Sequence, residues 1–478
     1  MRINRFIILS GIAGLSLLFD ACKVPSSMVP RDENKSVPTG YKDTRDTTNS
    51  GTMKWREFFA DPNLVQLIDT ALHHNQELNI IMQEINVARN EVRARKGEYL
   101  PFIDLQGGVA VEKAARYTRN GAVDATTEIE PGKEIPDPLP DIFVAANMSW
   151  QVDIWKKLRN ARKSAMYRYL GSTEGKNFLV TQLIAEIATS YYELMALDNQ
   201  LEILRKNIEI QQNALEIVKQ EKQAAKVTEL AVRRFEAEVL KNQSRLYYIS
   251  QMITVTENRI NFLVGRFPQP VQRSSNMFTE LLPATVFAGI PSNLLQNRPD
   301  IRQAELELMS SKLDVSIAKA NFYPSLNISA AIGLQAFNAS YLVTRPESML
   351  YSVGAGLAAP LINRNAIKAM YYSANARQIQ AVYNYERTIL NAYIEVSNQL
   401  SNISNLEQSY YLRSMQVQAL TQSIDISTRL FKSARADYME VLLTQRDALE
   451  SKFELIETKR QQMNAMVNIY QALGGGWN

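Results

Sequence analysis

The sequence predicts an α+β chain built from two internal repeats, each a pair of β-strands set among very long helices. Three observations carry this. The same motifs recur in the same order in both halves, each half holds two stretches of apolar/polar alternation, and the rest repeats apolar residues every seven positions. The 478 residues are 46% hydrophobic and 21% charged, enough apolar surface for a large core. A formal net charge of +4 asks for no nucleic-acid partner.

At the N-terminus, Arg2 and Arg5 precede an apolar run over residues 7–19 that is too short to span a bilayer. The run ends at Phe19-Asp20-Ala21-Cys22. Residues 1–21 are therefore expected to be a secretion signal, with Cys22 the first mature residue and the lipidation site, and 22–54 a lipid-anchored linker. Asp20 departs from the small uncharged residues that usually precede such a cysteine. Cys22 is the only cysteine, which excludes a disulfide framework and a multi-cysteine metal site. The two histidines, His73 and His74, are adjacent; helical neighbours on one face lie three or four apart, so they read as an exposed pair and no metal site is expected. No later apolar run suits a membrane helix, so entry into a membrane would be as strands.

The repeat rests on five matches. Tyr99-Leu100-Pro101-Phe102-Ile103-Asp104-Leu105 pairs with Phe322-Tyr323-Pro324-Ser325-Leu326-Asn327-Ile328, residues 150–155 with 357–362, 184–194 with 390–400, 226–230 with 437–441, and Leu263-Val264-Gly265 with Leu473-Gly474-Gly475. The repeats are placed at 55–265 and 298–473, with 266–297 as a linker and 474–478 as a tail. The first opens with a helix capped by Asp61 and led by Pro62; the second opens near Arg298-Pro299-Asp300.

The strands alternate. Ile103, Leu105, Val109 and Val111 share a face opposite Asp104, Gln106, Gly108 and Ala110, and Ile142, Val144, Met148, Trp150 and Val152 oppose Asn147, Ser149, Gln151 and Asp153. Leu326, Ile328, Ala330, Ile332 and Leu334 oppose Ser325, Asn327, Ser329 and Gln335, and Tyr351, Val353, Ala355, Leu357 and Ala359 oppose Ser352, Gly354 and Gly356. Such patterning suits a strand between lipid and a lumen, and equally any half-buried sheet. Residues 126–141, with Pro131, Pro136, Pro138 and Pro140, read as a long exposed loop.

The helices carry heptads. Val232, Phe235, Val239, Leu246, Ile249, Ile253, Ile260 and Leu263 form one seam, with Asn242 and Thr256 as polar breaks. Val382, Ile389, Val396, Ile403, Tyr410, Val417, Ile424 and Phe431 form a second, and Leu442, Leu449, Ile456, Met463 and Tyr470 a third. A sustained 3.5-residue period predicts coiled-coil packing. A helix over residues 365–432 would reach about 100 Å, too long for a compact domain. Met463 on the seam reads the sixteen methionines as core filling rather than metal export.

Four strands cannot close a barrel, and an open edge is forbidden in lipid. Either the strands form a soluble sheet, or copies assemble; three copies supply twelve strands, enough for a hollow barrel that helices would continue as a tube.

Several motifs resemble TolC-like outer-membrane efflux factors, especially their lipidated OprM/NodT branch: Trp55-Arg56-Glu57-Phe58-Phe59-Ala60-Asp61-Pro62-Asn63-Leu64, Ser149-Trp150-Gln151-Val152-Asp153-Ile154-Trp155, the stretch over 291–305 around Arg298-Pro299-Asp300, Phe322-Tyr323-Pro324-Ser325-Leu326, and the ending Ala472-Leu473-Gly474-Gly475-Gly476-Trp477. The resemblance covers nearly the whole mature chain. It implies a homotrimer with a twelve-stranded transmembrane β-barrel, four strands per protomer, continued by a long periplasmic α-helical barrel. It also implies an outer-membrane location, a periplasmic adaptor and an inner-membrane resistance-nodulation-division pump as partners, no cofactor, and passive passage for the pump's substrates, gated at the periplasmic tips. Two departures stand out. Asn363 and Arg364 replace paired glycines at a strand-to-helix turn, where Asn tolerates unusual backbone angles, and Ala225 and Ala434 lie near tip positions that usually carry glycine.

The tip residues expected to matter are Thr228 and Glu229 in the first turn and Arg435, Asp437, Tyr438 and Glu440 in the second. Glu440 matches one of two acidic positions that ring the entrance in TolC, while Leu443 stands at the other. Three copies of Glu440 around one axis would favour cations; the plainer reading of Glu440 and Asp437 is solvated tip charges. Trp150 and Trp155 are candidate membrane-interface aromatics, with Trp155 equally suited to packing where barrel meets helix. A secretion duct working with an ABC transporter is the alternative in the same fold. A soluble periplasmic scaffold and a hydrolase are rivals of other classes, but the strands' apolar faces oppose the first. The second lacks His-Glu-x-x-His, Gly-x-Ser-x-Gly and Walker motifs.

Overall fold

A computed structural model of the chain describes residues 31–41, 48–283, 285–433 and 435–477; the expected signal, Cys22 and Ala434 lie outside them. The main elements are α1 (Pro62–His74), α2 (Gln76–Glu98), β1 (Phe102–Glu112), β2 (Leu139–Val152), α3 (Lys157–Gln223), α4 (Glu229–Val264), α5 (Pro299–Ala320), β3 (Ser325–Ala336), β4 (Met349–Ala358), α6 (Asn365–Lys432) and α7 (Tyr438–Ala472). The chain divides into two compact units.

The first unit contains residues Asn86–Leu170 and Leu306–Val382. Its centre is an antiparallel sheet of order β1-β2-β3-β4, which leaves β1 and β4 as edges. The register stacks like on like. Ile103, Met148, Ala330 and Val353 form one cross-strand row, and Leu105, Ala146, Ile332 and Tyr351 the next. Between them runs Asp104, Asn147, Ala331 and Ser352. Directly paired residues share a face, so one side of the sheet is apolar throughout and the other mostly small or polar. The apolar side is uncovered: Leu105 is 75% exposed and Val353 81%. Such an exposed apolar surface calls for lipid or another partner. No helix among the described residues is long and apolar enough to cross a membrane.

The region expected to be a plain loop is longer and more structured. A short helix (Arg119–Asp124) and a small ladder (Glu128–Glu130 with Lys133–Glu134) precede β2, which starts at Leu139, earlier than the alternation suggested. At the strand-to-helix turns, Asn363 takes the left-handed conformation anticipated for it, φ +52°. Lys156 does the same before α3, φ +59°, without a side chain that favours it. Its neighbours hold it there. Asp153 accepts from the backbone amides of Leu158 (3.0 Å) and Arg159 (2.9 Å). Trp155 stacks on Tyr323 at 4.7 Å and donates to the Pro324 carbonyl, 2.7 Å.

The second unit contains Glu33–Ile85, Gly171–Glu305 and residues 383–477. Asp61 caps α1 as expected, accepting from the Asn63 amide at 2.8 Å, and also accepts from the Tyr191 hydroxyl at 2.6 Å. The opening helix is broken at Asn75. Its side chain donates to the Leu263 carbonyl (2.9 Å) and accepts from the Leu78 amide (2.9 Å), ending one helix and capping the next. The core packs Leu64, Ile68 and Ala71 of α1 with Ile187, Tyr191 and Leu194 of α3, Ile260 and Val264 of α4, and Met463 and Tyr470 of α7. Leu442, Leu449, Ile456, Met463 and Tyr470 are all buried, as the heptad requires. The polar break at Asn242 is a buried bond to Gln211 of α3, 2.8 Å, which fixes register between the two helices.

Both long hairpins end on left-handed glycines. A Cβ on Gly265 (φ +76°) would sit 2.4 Å from the His74 carbonyl oxygen, and one on Gly474 (φ +85°) 2.7 Å from that of Asn297. This places Gly265 opposite Gly474, one residue off the alignment read from the sequence. Arg298 is 5% exposed and donates to the Ala472 carbonyl (2.8 Å), to Glu395 (2.7 Å) and to both Asp300 oxygens (3.0 and 2.7 Å). Burial disfavours its charge, but these carboxylates hold the guanidinium protonated above its ordinary range.

Candidate channel gate

At the first tip, α3 ends and α4 begins through a tight turn. Ala225 takes φ +54°, where an L-residue with a Cβ is strained. The amides of Ala225 and Lys226 donate to the carbonyls of Lys222 and Glu221, each at 2.9 Å, so the last carbonyls of α3 are satisfied. Thr228 is the extended residue before α4. Its side chain caps nothing, and its carbonyl accepts from the Ala231 amide at 3.1 Å. Glu229 pairs with Lys222 across the turn and with Arg233 one helical turn on, 2.9 Å. The Lys222 hydrogen bond, foremost, holds its carboxyl below the usual carboxylate range.

At the second tip, the Arg435 amide donates to the Leu430 carbonyl (2.9 Å), while its side chain is exposed. Asp437 stands before α7 in extended conformation without capping it. Tyr438 is half-buried against the cluster formed by Leu215 and Val218 of α3, Val232 and Phe235 of α4, and Leu442 of α7. Both tips therefore share one small core. Glu440 is exposed in the first turn of α7; its amide donates to the Asp437 carbonyl, 3.1 Å. Among the described residues no ion pair engages Asp437 or Glu440. The Arg234 guanidinium lies 2.9 Å from the Met439 sulfur, tying α4 to the second tip.

Sequence reasoning placed the tip turns but missed Lys222, Arg233, Arg234 and Met439. The Glu229/Arg233 spacing of four was a readable signal; the Arg234–Met439 contact, 205 residues apart, was not. Trp150 sits in the apolar face opposite Ile328 and donates to the Tyr99 carbonyl at 3.1 Å. Trp155 is packed at the strand-to-helix junction on Tyr323.

The arrangement is a lipid-suited sheet in one unit and a helical coiled coil with charged tips in the other. The model of a family described as outer membrane efflux protein matches residues 67–266 and again 290–475. The chain belongs to the outer membrane efflux protein family. It is an outer-membrane efflux channel, and the secretion-duct alternative is not favoured. It is similar to the pyoverdine export outer membrane protein OpmQ of Pseudomonas aeruginosa, 26% identical over 96% of this chain and 95% of that protein. It is also similar to the probable outer membrane lipoprotein SilC of Salmonella typhimurium, 23% identical over 100% of this chain and 98% of the other. Among solved structures, CusC aligns with a TM-score of 0.80 at 22% identity, covering 94% of this chain and 100% of that one. The open state of the Neisseria gonorrhoeae channel MtrE aligns at 0.81 and 19% identity, covering 95% and 99%. These structures have the same fold as this member of the family.

Proposed function

We propose that three copies of this chain close one twelve-stranded barrel through the outer membrane, continued by a periplasmic helical barrel. We further propose that the duct joins a periplasmic adaptor and an inner-membrane resistance-nodulation-division pump, whose substrates it passes outward without chemistry of its own. The observation that carries this reading is the sheet. Its four strands have an uncovered apolar face and two unpaired edges. Such edges are not tolerated in lipid unless the sheet closes on itself through further copies. β1 and β4 run in opposite senses, so β4 of one copy continues antiparallel onto β1 of the next. The two matches of the family model support two internal repeats per copy. Trp150 and Trp155 are assigned to the periplasmic rim of the barrel, Cys22 to a lipid anchor, and the second tip, with Arg435, Asp437, Tyr438 and Glu440, to the gate.

The test is edge-to-edge crosslinking in membranes. Cysteines placed singly along β1 are combined with Val353→Cys on β4. Disulfide-linked trimers from a consecutive every-second-residue set on β1 are expected. Crosslinked dimers with no trimer, or no register-specific link, would sink the closed barrel.

A further inference from the structure

A cleft in the second unit belongs neither to the sheet nor to the tips. One face of α6, including Ile403 and Tyr410, one face of α7, including Lys459 and Met466, and the linker residues Leu282 and Val286 enclose about 680 Å³. That volume lies within the range of small-molecule sites, and its apolar lining with few polar groups matches their usual chemistry. Beside α7 the apolar positions of α6 are only half-buried, Ile403 and Tyr410 at the cleft among them.

Lys459 is the unusual group. It is 4% exposed, and its ammonium lies over the Tyr410 ring, 5.0 Å from the centroid. Among the described residues no carboxylate pairs with it. Glu407 borders the cleft without forming an ion pair to it. Burial alone moves the group below the ordinary lysine range, with no carboxylate opposing that shift. The Lys459 stem is buried and its ammonium stands at the cleft wall beside an aromatic face, where an anion in the cleft would find an unpaired cation.

We propose that this cleft is a binding site for an anionic amphiphile, an aromatic or medium-chain carboxylate. Its acid group would pair with Lys459, and its apolar body would fill the cleft between α6, α7 and the linker. The neutral form of the same body leaves the ammonium unpaired, so charge should decide affinity.

The test uses the purified, detergent-solubilised assembly titrated with 2-naphthoate and, separately, with the neutral 2-naphthol, followed by saturation-transfer NMR. Saturable binding of 2-naphthoate is expected, at least about tenfold tighter than 2-naphthol, because a charge-assisted pair is worth on the order of one decade or more. Lys459→Met should remove that preference. Val286→Trp, which fills the cleft and leaves Lys459 in place, should abolish binding of both probes. Affinity for 2-naphthoate should fall on the alkaline side only where Lys459 is present, since deprotonation removes its partner. Equal binding by the native and Lys459→Met assemblies, binding that survives Val286→Trp, or no saturable binding to the native assembly would each overturn the proposal.

Discussion

At the first tip, Glu229 is held between Lys222 and Arg233, so its charge is paired within the hairpin. At the second, Asp437 and Glu440 stand exposed, with no ion pair to either among the described residues. Both hairpins anchor in the same small cluster, through Val227 on one side and Tyr438 on the other. The difference is therefore one of charge rather than of packing. A carboxylate paired within its own hairpin has little to gain from a neighbour. In the trimer proposed above, unpaired carboxylates at the second tip would repel their symmetry mates unless cations or an adaptor intervened, which would suit a moving gate. On the reading proposed above, the first tip would act as a brace and the second as the element that responds.

The largest expected effect breaks this asymmetry at Glu440. Glu440→Ala should weaken block by a trivalent cation in planar bilayers by about tenfold, the effect of about 1.4 kcal/mol. It should also lower cation preference. Glu229→Ala, made in parallel, should leave block within error. Equal effects at the two tips would remove the distinction between brace and gate.

A smaller effect comes from the strained backbone of the first turn. Ala225 has φ +54°. A left-handed L-residue costs roughly 1–2 kcal/mol, partly offset because glycine loses more entropy on folding. Ala225→Gly should therefore stabilise the tip by about 1 kcal/mol, read as slower hydrogen exchange over residues 222–233. No slowing would mean that the lost Cβ contacts outweigh the strain.

What could be read from the sequence follows from how local each constraint is. Strand faces were legible because water or lipid on each side imposes a period of two, and the observed register keeps Leu105, Ile332 and Tyr351 in one row. The seam of α7 was legible because one partner face imposes a period of seven. The break at Asn75 was not, since its cause is a carbonyl 188 residues away at Leu263. Lys156 likewise hides a left-handed turn, because the contacts that hold it come partly from Tyr323 and Pro324. Arg298 was legible as the opening of the second repeat; its burial among Asp300, Glu395 and the Ala472 carbonyl was not, because it depends on elements that only folding brings together. At the tips, residue types and turn positions were legible. The pairing of Glu229 but not of Glu440 was not, because Lys222 reaches Glu229 only through the turn.

The smallest effect sharpens the comparison through pH. Lys222 foremost, then Arg233, holds the Glu229 carboxyl below its ordinary value, so folding favours the ionised form. Its contribution is fully present above the unfolded pKa, near 4.3 for a free glutamate, and is lost as pH falls through the lower folded value. Hydrogen-exchange protection of the first tip, relative to a Glu229→Gln variant measured at the same pH, should be greatest at neutral pH and converge with it in acid. The difference should also shrink with salt, since the pairs are exposed and screened over about 8 Å at physiological ionic strength. A difference that persists unchanged into acid would assign the brace to the shape of the turn and its hydrogen bonds, with the ion pairs incidental. In that case the two tips would differ in the charge they show to neighbours but not in what holds them.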